Sequence, residues 1–273
     1  MRPSTPATRR HPRAIRHAAC AALLGVLPAC STATNTAEHD ALPPTLIPVP
    51  SAEDRAAAAG WGTGTWTDQH RAIVDLAQTR PDLVFLGDSI TQSWGGPGRA
   101  VSSPAEGVWN EHFGGFHAAN FGISGDRTQH VLWRLDHGIL DAITPRVVVL
   151  MIGTNNLAHD PPGDIARGIG AIVDRLAKHE PQATVLLCTI VRGNDPADPL
   201  RDRADRVNER IRPLAERPGV RLIDLTDRFY TPDGAADPAL LGGDGVHFKA
   251  GGYRAWAEMV LPHAAERLGD GED

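Results

Sequence analysis

The sequence predicts an α/β fold, three layers deep, with helices on both faces of a five-stranded parallel sheet. Two observations carry that prediction. Five short, mostly continuous apolar runs recur along the chain, the pattern of strands covered on both faces. Between them lie segments whose apolar residues repeat at helical spacing, and such β-α units close into a parallel sheet. The chain has 273 residues, 41% hydrophobic and 22% charged, enough apolar material for one sizeable core.

The first 29 residues read as a signal peptide, not as part of the fold. Arg2, Arg9, Arg10, Arg13 and Arg16 make a basic opening without an acid, followed by a ten-residue apolar run from Ala18 to Leu27. Ten residues span about 15 Å as a helix, half of a bilayer core, so the run is too short for a transmembrane anchor. Leu27-Pro28-Ala29-Cys30 resembles a bacterial lipobox, with Cys30 as the lipidated residue, although Pro28 is unusual there. Plain secretion and a twin-arginine route through Arg9-Arg10 remain open. The expected location is extracytoplasmic, as a bacterial cell-envelope lipoprotein or a secreted protein, with membrane contact only through the lipid. Residues 30–60, rich in Thr, Ala and Pro, read as a flexible tether. The folded domain is expected over residues 61–270.

Within that domain the strands are expected at Leu83–Leu86, His117–Phe121, Val147–Ile152, Thr184–Thr189 and Val220–Leu225. Ile165, Ile169, Ile172, Val173 and Leu176 fall on one helical face. Ala204, Val207, Ile211, Leu214 and Ala215 repeat the pattern, with arginines and acids between them. A last helix is expected from about Gly252 to Leu268, kinked at Pro262. Reactive groups in such sheets gather beyond the carboxyl ends of the strands.

Polar residues stand at those ends. Ser89 follows the first strand in Leu86-Gly87-Asp88-Ser89, a composition also common in plain turns. Gly122 and Gly125 flank the loop after the second strand, suiting either backbone N–H groups aimed into a cavity or a turn capped by Asp126 or Thr128. Asn155, in Gly153-Thr154-Asn155-Asn156 after the third strand, could donate to a developing oxyanion or only shape a turn. Asp244 and His247 precede the last helix. In a loop, their offset lets the carboxylate reach Nδ1 and leaves the other ring nitrogen free to take a serine proton.

Taken together, these blocks resemble the SGNH (GDSL-type) hydrolase family, and within it the branch of platelet-activating-factor acetylhydrolase catalytic subunits and their bacterial relatives. The matching stretches are Phe85–Thr91, Asn120–Ile123, His130–Leu135, Gly153–Asn156 and Asp244–His247, within a resemblance over residues 61–268. It implies a flavodoxin-like sheet of order 2-1-3-4-5 and ester hydrolysis without a metal or cofactor. Carried onto this chain, Ser89 is the nucleophile, His247 the base and then the acid, and Asp244 its orienter. Ser89, Gly125 and Asn155 form the oxyanion hole. Ile90, Thr154 and Val246 would close a small acyl pocket, or merely pack the strand ends, and Trp94 would wall the pocket or stack on a sugar. Ile90 replaces the Leu of the family's first block, and Asn156 stands where many relatives have Asp.

The expected activity is therefore a serine esterase acting on short-chain, chiefly acetyl, oxygen esters of small molecules or carbohydrates. A lysophospholipase or thioesterase with a longer groove, and a non-catalytic carbohydrate-binding lipoprotein, are the rival readings. A homodimer follows by resemblance only. Without residues 1–29 the chain keeps 22 basic residues against 33 acidic ones, which argues against a nucleic-acid partner. Cys188 is then the one cysteine in the domain, expected in the core. His112, His117, His130, His137 and His159 lack metal-ligand spacing, and His130 lies close enough in sequence to Gly125 to touch the site from behind. The acidic run after Asp195, with Arg201, Arg203 and Arg206, reads as a solvated helix face. Gly95-Gly96-Pro97-Gly98 lacks the strand and the Lys-Ser/Thr of a phosphate loop.

Overall fold

Side chains on a strand alternate between its two faces, so five apolar strands need a core on each side. The computed structural model, which describes residues 41–53, 64–99 and 105–269, has this arrangement. Strands β1 (Leu83–Gly87), β2 (Ala118–Gly122), β3 (Val147–Met151), β4 (Thr184–Cys188) and β5 (Val220–Ile223) form one parallel sheet. Its order is the expected 2-1-3-4-5. The helices are α1 (Trp66–Ala77), α2 (Ser89–Gln92), α3 (Glu106–Phe113), α4 (Thr128–Arg134), α5 (Pro162–His179), α6 (Pro199–Ile211), α7 (Thr226–Phe229) and α8 (Ala250–Leu268). Each expected strand is present, with ends shifted by one or two residues.

Val84, Leu86, Val148, Leu150, Val185 and Leu187 enter one core, packed with residues of α1, α4, α5 and α6. Leu83, Phe85, Val147, Val149, Leu186 and Cys188 enter the other, with residues of α3 and α8. On the first side, all five apolar positions predicted for α5 are buried. On the second, Phe85, Trp94, Trp109, Phe113, Tyr253 and Trp256 meet largely edge to face, as ring quadrupoles favour. Cys188 lies among them with the Trp256 indole N–H on its sulfur at 3.3 Å, and burial pushes its thiol up to about 12. It is a core residue. Pro262 lies inside α8, which continues through it as one element.

Three expectations need correction. α6 stops at Ile211, because Pro213 has no N–H to extend the ladder; the chain continues as a 3-10 turn over Arg212–Glu216. Leu214 is consequently only half-buried and Ala215 exposed. The arginines of α6 do not form one solvated face. Arg203 donates to the carbonyls of Leu157 and Asp160 at 2.5 and 2.6 Å, and Arg201 lies 3.7 Å over the Tyr230 ring. Of the three, Arg206 keeps the expected exposed role, paired with Asp202.

The third correction concerns the tether. The leader over residues 1–29, Cys30 and residues 31–40, 54–63 and 270 lie outside the described residues, but residues 41–53, though largely exposed, are anchored to the domain at Thr45 and Glu53. Their 3-10 turn, Pro44–Leu46, buries Thr45 completely. The Thr45 hydroxyl donates to Asp164 O at 2.8 Å, and its carbonyl accepts from the Thr128 hydroxyl at 3.1 Å. Gly168 on α5 permits this approach: a Cβ there would stand 2.6 Å from Thr128 Oγ1 and 2.9 Å from Thr45 O. Glu53 pairs with Arg127 at 3.0 Å. Proline richness had suggested an extended, solvated chain, yet an extended chain can also lie in a groove and bury one side chain. Among the described residues no helix is long and apolar enough to cross a membrane. Thr45→Val should lower stability by about 1–2 kcal/mol in urea melts, the worth of a buried hydrogen bond and of the acceptor it leaves unpaired; an unchanged midpoint would mean that the Thr45 hydroxyl contributes nothing to the fold.

Candidate active site

Three strands stop at one level. Register pairs Gly87 at the end of β1 with Gly122 of β2 on one side and with Met151 of β3 on the other. The loops that follow therefore leave the sheet side by side. α2 fits against these ends because both terminal residues are glycines. A Cβ on Gly87 would stand 2.3 Å from Met151 O and 2.2 Å from Thr91 Oγ1, and one on Gly122 would stand 2.2 Å from Gln92 N. All three distances are closer than atoms tolerate, so any larger residue would push α2, and Ser89 with it, off the rim.

Ser89 is the first residue of α2, and Asp88 caps it by accepting from Ile90 N–H at 3.0 Å. Across the crevice, Asp244 Oδ1 accepts from the backbone N–H groups of Val246 and His247, each at 3.0 Å. Its other oxygen lies 2.6 Å from His247 Nδ1. An ionised carboxylate only accepts, so Nδ1 carries the hydrogen and Nε2 is left to accept. Nε2 stands 3.0 Å from Ser89 Oγ. The loop that brings His247 there is braced by Gly242 N–H on His247 O at 2.7 Å and Gly193 N–H on Gly245 O at 2.8 Å. Partial burial works to raise the Asp244 carboxyl, but the His247 ring and the two loop N–H groups outweigh it and hold the carboxyl below its ordinary value.

The other two loops bring donors. Gly125 takes φ of +81°, a conformation that side-chain-bearing residues avoid. Among the described residues, neither the Ser89 N–H nor the Gly125 N–H has an acceptor. Asn155 Nδ2 donates to Asp126 O at 2.9 Å and approaches Asp88 Oδ2 at 3.3 Å. Asn156 is a fully buried brace: its oxygen accepts from Thr128 N–H at 3.0 Å, and its amide donates to Gln129 and to the Asp160 carboxylate at 3.1 and 2.9 Å. An Asp at 156 would face Asp160 without a proton to give, which accounts for Asn in this chain. Neither Asn156 nor Ile90 touches the Ser89–His247 contact.

The remaining candidates divide. Ile90 is sealed in the core at 1% exposure, its carbonyl accepting from Tyr253 Oη at 2.7 Å. Thr154 is buried with a small opening, and Val246 is half-buried. Trp94 is a correction. It is 0% exposed, enclosed by Phe85, Phe113, Tyr253 and Trp256, and has no face to offer a sugar. His130 does stand behind the Gly125 loop: its Nδ1 accepts from Arg127 N–H at 3.1 Å and lies 3.8 Å from the Asp126 carboxylate. Gly95 uses its carbonyl for Asn120 Nδ2 at 2.8 Å, a structural contact. Among the described residues no cluster of His, Cys, Asp or Glu could hold a metal ion.

Beneath the crevice lies a buried charged cluster that reading the sequence missed. Asp88, Asp126 and Arg134 are all fully or nearly fully buried. Arg134 pairs with Asp126 at 2.7 Å, and Asp126 also accepts from the Trp66 indole N–H at 2.7 Å. One signal was present: Arg134 stands three residues after Val131, on the apolar face of its helix. Burial raises Asp88 to about 7, opposed by the Ile90 N–H and reinforced by Asp126. Burial raises Asp126 to about 6, held from rising further chiefly by Arg134.

Both acids bind their protons more tightly folded than unfolded, where their ordinary value is near 3.8. The stability that they contribute is complete below about pH 4. It is lost as pH rises through about 6 for Asp126 and about 7 for Asp88. Asp88→Asn should therefore lose less stability than the wild type between pH 4 and pH 7 in paired urea melts. Equal losses would show that Asp88 titrates normally.

The family model of the GDSL-like lipase/acylhydrolase family matches residues 85–255. The platelet-activating factor acetylhydrolase IB subunit alpha1 of Pongo abelii is 37% identical over 217 residues, covering 77% of this chain and 89% of the relative. A solved GDSL-like lipase from Bacteroides thetaiotaomicron superposes with a TM-score of 0.59 at 18% identity, over 74% of this chain and 98% of that one. The acetylxylan esterase Axe2 of Geobacillus stearothermophilus superposes with a TM-score of 0.52 at 20% identity, over 67% and 94% of the two chains. Five strands in one order and a matched family pattern across both ends of the crevice give one conclusion: the chain belongs to the GDSL-like lipase/acylhydrolase family and is a carboxylic ester hydrolase.

Proposed function

We propose that the chain removes short acyl groups, chiefly acetyl, from oxygen esters, with Ser89 as nucleophile, His247 as general base and acid, and Asp244 as its orienter. The observation that carries this reading is the unbroken line from the Asp244 carboxylate through the imidazole to Ser89 Oγ, at 2.6 and 3.0 Å. Ser89 Oγ attacks the ester carbonyl as His247 Nε2 takes its proton. The imidazolium so formed is stabilised by Asp244, which stays ionised. Charge then builds on the carbonyl oxygen, where the Ser89 and Gly125 N–H groups and Asn155 Nδ2 are its donors. His247 returns the proton to the leaving alkoxide. Water attacks the acyl-serine by the same steps in reverse order of partners, releasing the acid and Ser89.

Ile90, at 1% exposure, packs the core and lines no acyl pocket. A short acyl group is supported by the similar proteins: one is named a platelet-activating factor acetylhydrolase subunit, another an acetylxylan esterase. Acetylated carbohydrates or small acetate esters are the substrates we favour. With Trp94 enclosed, a sugar would have to be held by other rim residues.

Ser89→Ala should lower turnover of p-nitrophenyl acetate by about 10³-fold or more. Asn155→Ala should lower it by roughly 10²–10³-fold, the worth of one oxyanion donor. Wild-type activity in Ser89→Ala would overturn the mechanism, and a wild-type chain that no fluorophosphonate probe labels would indicate a binding protein instead. Across acetyl, butyryl and octanoyl esters kcat/KM should fall with length; a preference for octanoyl would replace the short-acyl reading with a lysophospholipase or thioesterase.

A further inference from the structure

We infer that Arg134 is a positioning residue for this hydrolysis, its guanidinium clamping the ends of β1 and β2 so that nucleophile and oxyanion donors keep a fixed spacing. The inference rests on the function proposed above. Arg134 bonds to neither Ser89 nor His247, and it is 0% exposed at the end of α4. Nη1 donates to Phe121 O at 2.7 Å, and Nη2 donates to Gly87 O at 3.1 Å and pairs with Asp126 at 2.7 Å. Gly87 lies two residues before Ser89. Asp126 follows Gly125, and the Asp126 carbonyl receives Asn155 Nδ2 at 2.9 Å. One planar group thus reaches the segments that carry Ser89 and Gly125, and through Asp126 it is linked to Asn155.

At this level of the sheet arginine donors add to the main-chain pairing. Arg134 donates to Phe121 O and to Gly87 O, which also accepts from Ile123 N–H at 3.3 Å, and Arg99 donates to Gly122 O at 2.5 Å. A fully buried ion pair is a poor way to gain stability alone, since well-packed apolar residues of similar volume often serve as well or better. A fork of donors with fixed geometry is, by contrast, a good way to hold separate segments in register. Asp88, Asp126 and Arg134 of the buried cluster, and the half-buried Arg99, lie at these strand ends. An ammonium in place of the guanidinium keeps the charge but cannot span both carbonyls and the carboxylate.

Arg134→Lys tests the clamp, with turnover normalised to folded protein by circular dichroism. Misplacement by a fraction of an ångström to an ångström should lower kcat on p-nitrophenyl acetate about ten- to a hundredfold, with KM changed less than about threefold. Val131→Ala, a cavity on the same helix at a residue that is 0% exposed, is the stability control: it should lower the melting temperature and leave kcat unchanged. Should Arg134→Lys fail to fold, Asp126→Asn, which keeps the side-chain shape and weakens the pair, carries the same expectation. Wild-type kcat per folded molecule in the substituted clamp, or an equal fall in Val131→Ala, would overturn it. An active Ser89→Ala would instead remove the esterase mechanism itself, so the two failures are distinguishable.

Discussion

In-register pairing of β1 with both β2 and β3 ends three strands at one height, and the site is built on that shared edge. Glycines at the first two ends are what allow it to be used. Gly87 and Gly122 admit the backbone and side chains of α2 at distances where a Cβ could not exist. Ser89, Gly125 and Asn155 are consequently neighbours in space although 66 residues of chain separate the first from the last. His247 arrives from elsewhere, and hydrogen bonds from Gly193 to Gly245 and within the Gly242–His247 loop hold it over the same edge.

The electrostatics separate into two layers with opposite demands. At the surface, Asp244 and His247 are partly exposed, and Asp244 is kept ionised by the donors around it. A serine proton can pass to the imidazole because the resulting cation finds that carboxylate. Below, Asp88, Asp126 and Arg134 are shut away from water, where an unpaired charge would be severely destabilising. Pairing, the Trp66 indole and main-chain groups satisfy that layer. Burial makes its acids hold their protons more tightly while the donors around the surface acid make it hold its proton less, so carboxyl groups of one site differ in proton affinity because their surroundings differ.

How the chain closes around this sheet departs from composition in instructive ways. Thr45 is buried within a segment whose prolines suggested solvent, because a groove at Gly168 receives it. Arg201 and Arg203 spend their charges on an aromatic face and on carbonyls, not on water. Trp94 lies five residues past Ser89 in sequence yet belongs to the aromatic core, since α2 turns that side chain inward. In each case the residue type permitted two environments, and the neighbours chose between them.

The alternation of elements and the residues flanking each strand end were legible because local pattern dictates them: apolar runs must be covered, and glycine, Ser, Asn and Asp-x-x-His at their ends leave recognisable spacing. Strand order came from the family resemblance, since local pattern does not encode it. Ser89, Gly125, Asn155, Asp244 and His247 could be named on that ground and by family resemblance. Asp88, Asp126 and Arg134 could not, because a charge in a sequence carries no mark of its burial, and only a contact among distant segments can supply the partner that makes burial tolerable. The chain by itself thus determined which groups stand at the ends of the strands. The tertiary structure alone decided which of them face the crevice and which support it from beneath, since that depends on distances between segments that local sequence does not encode.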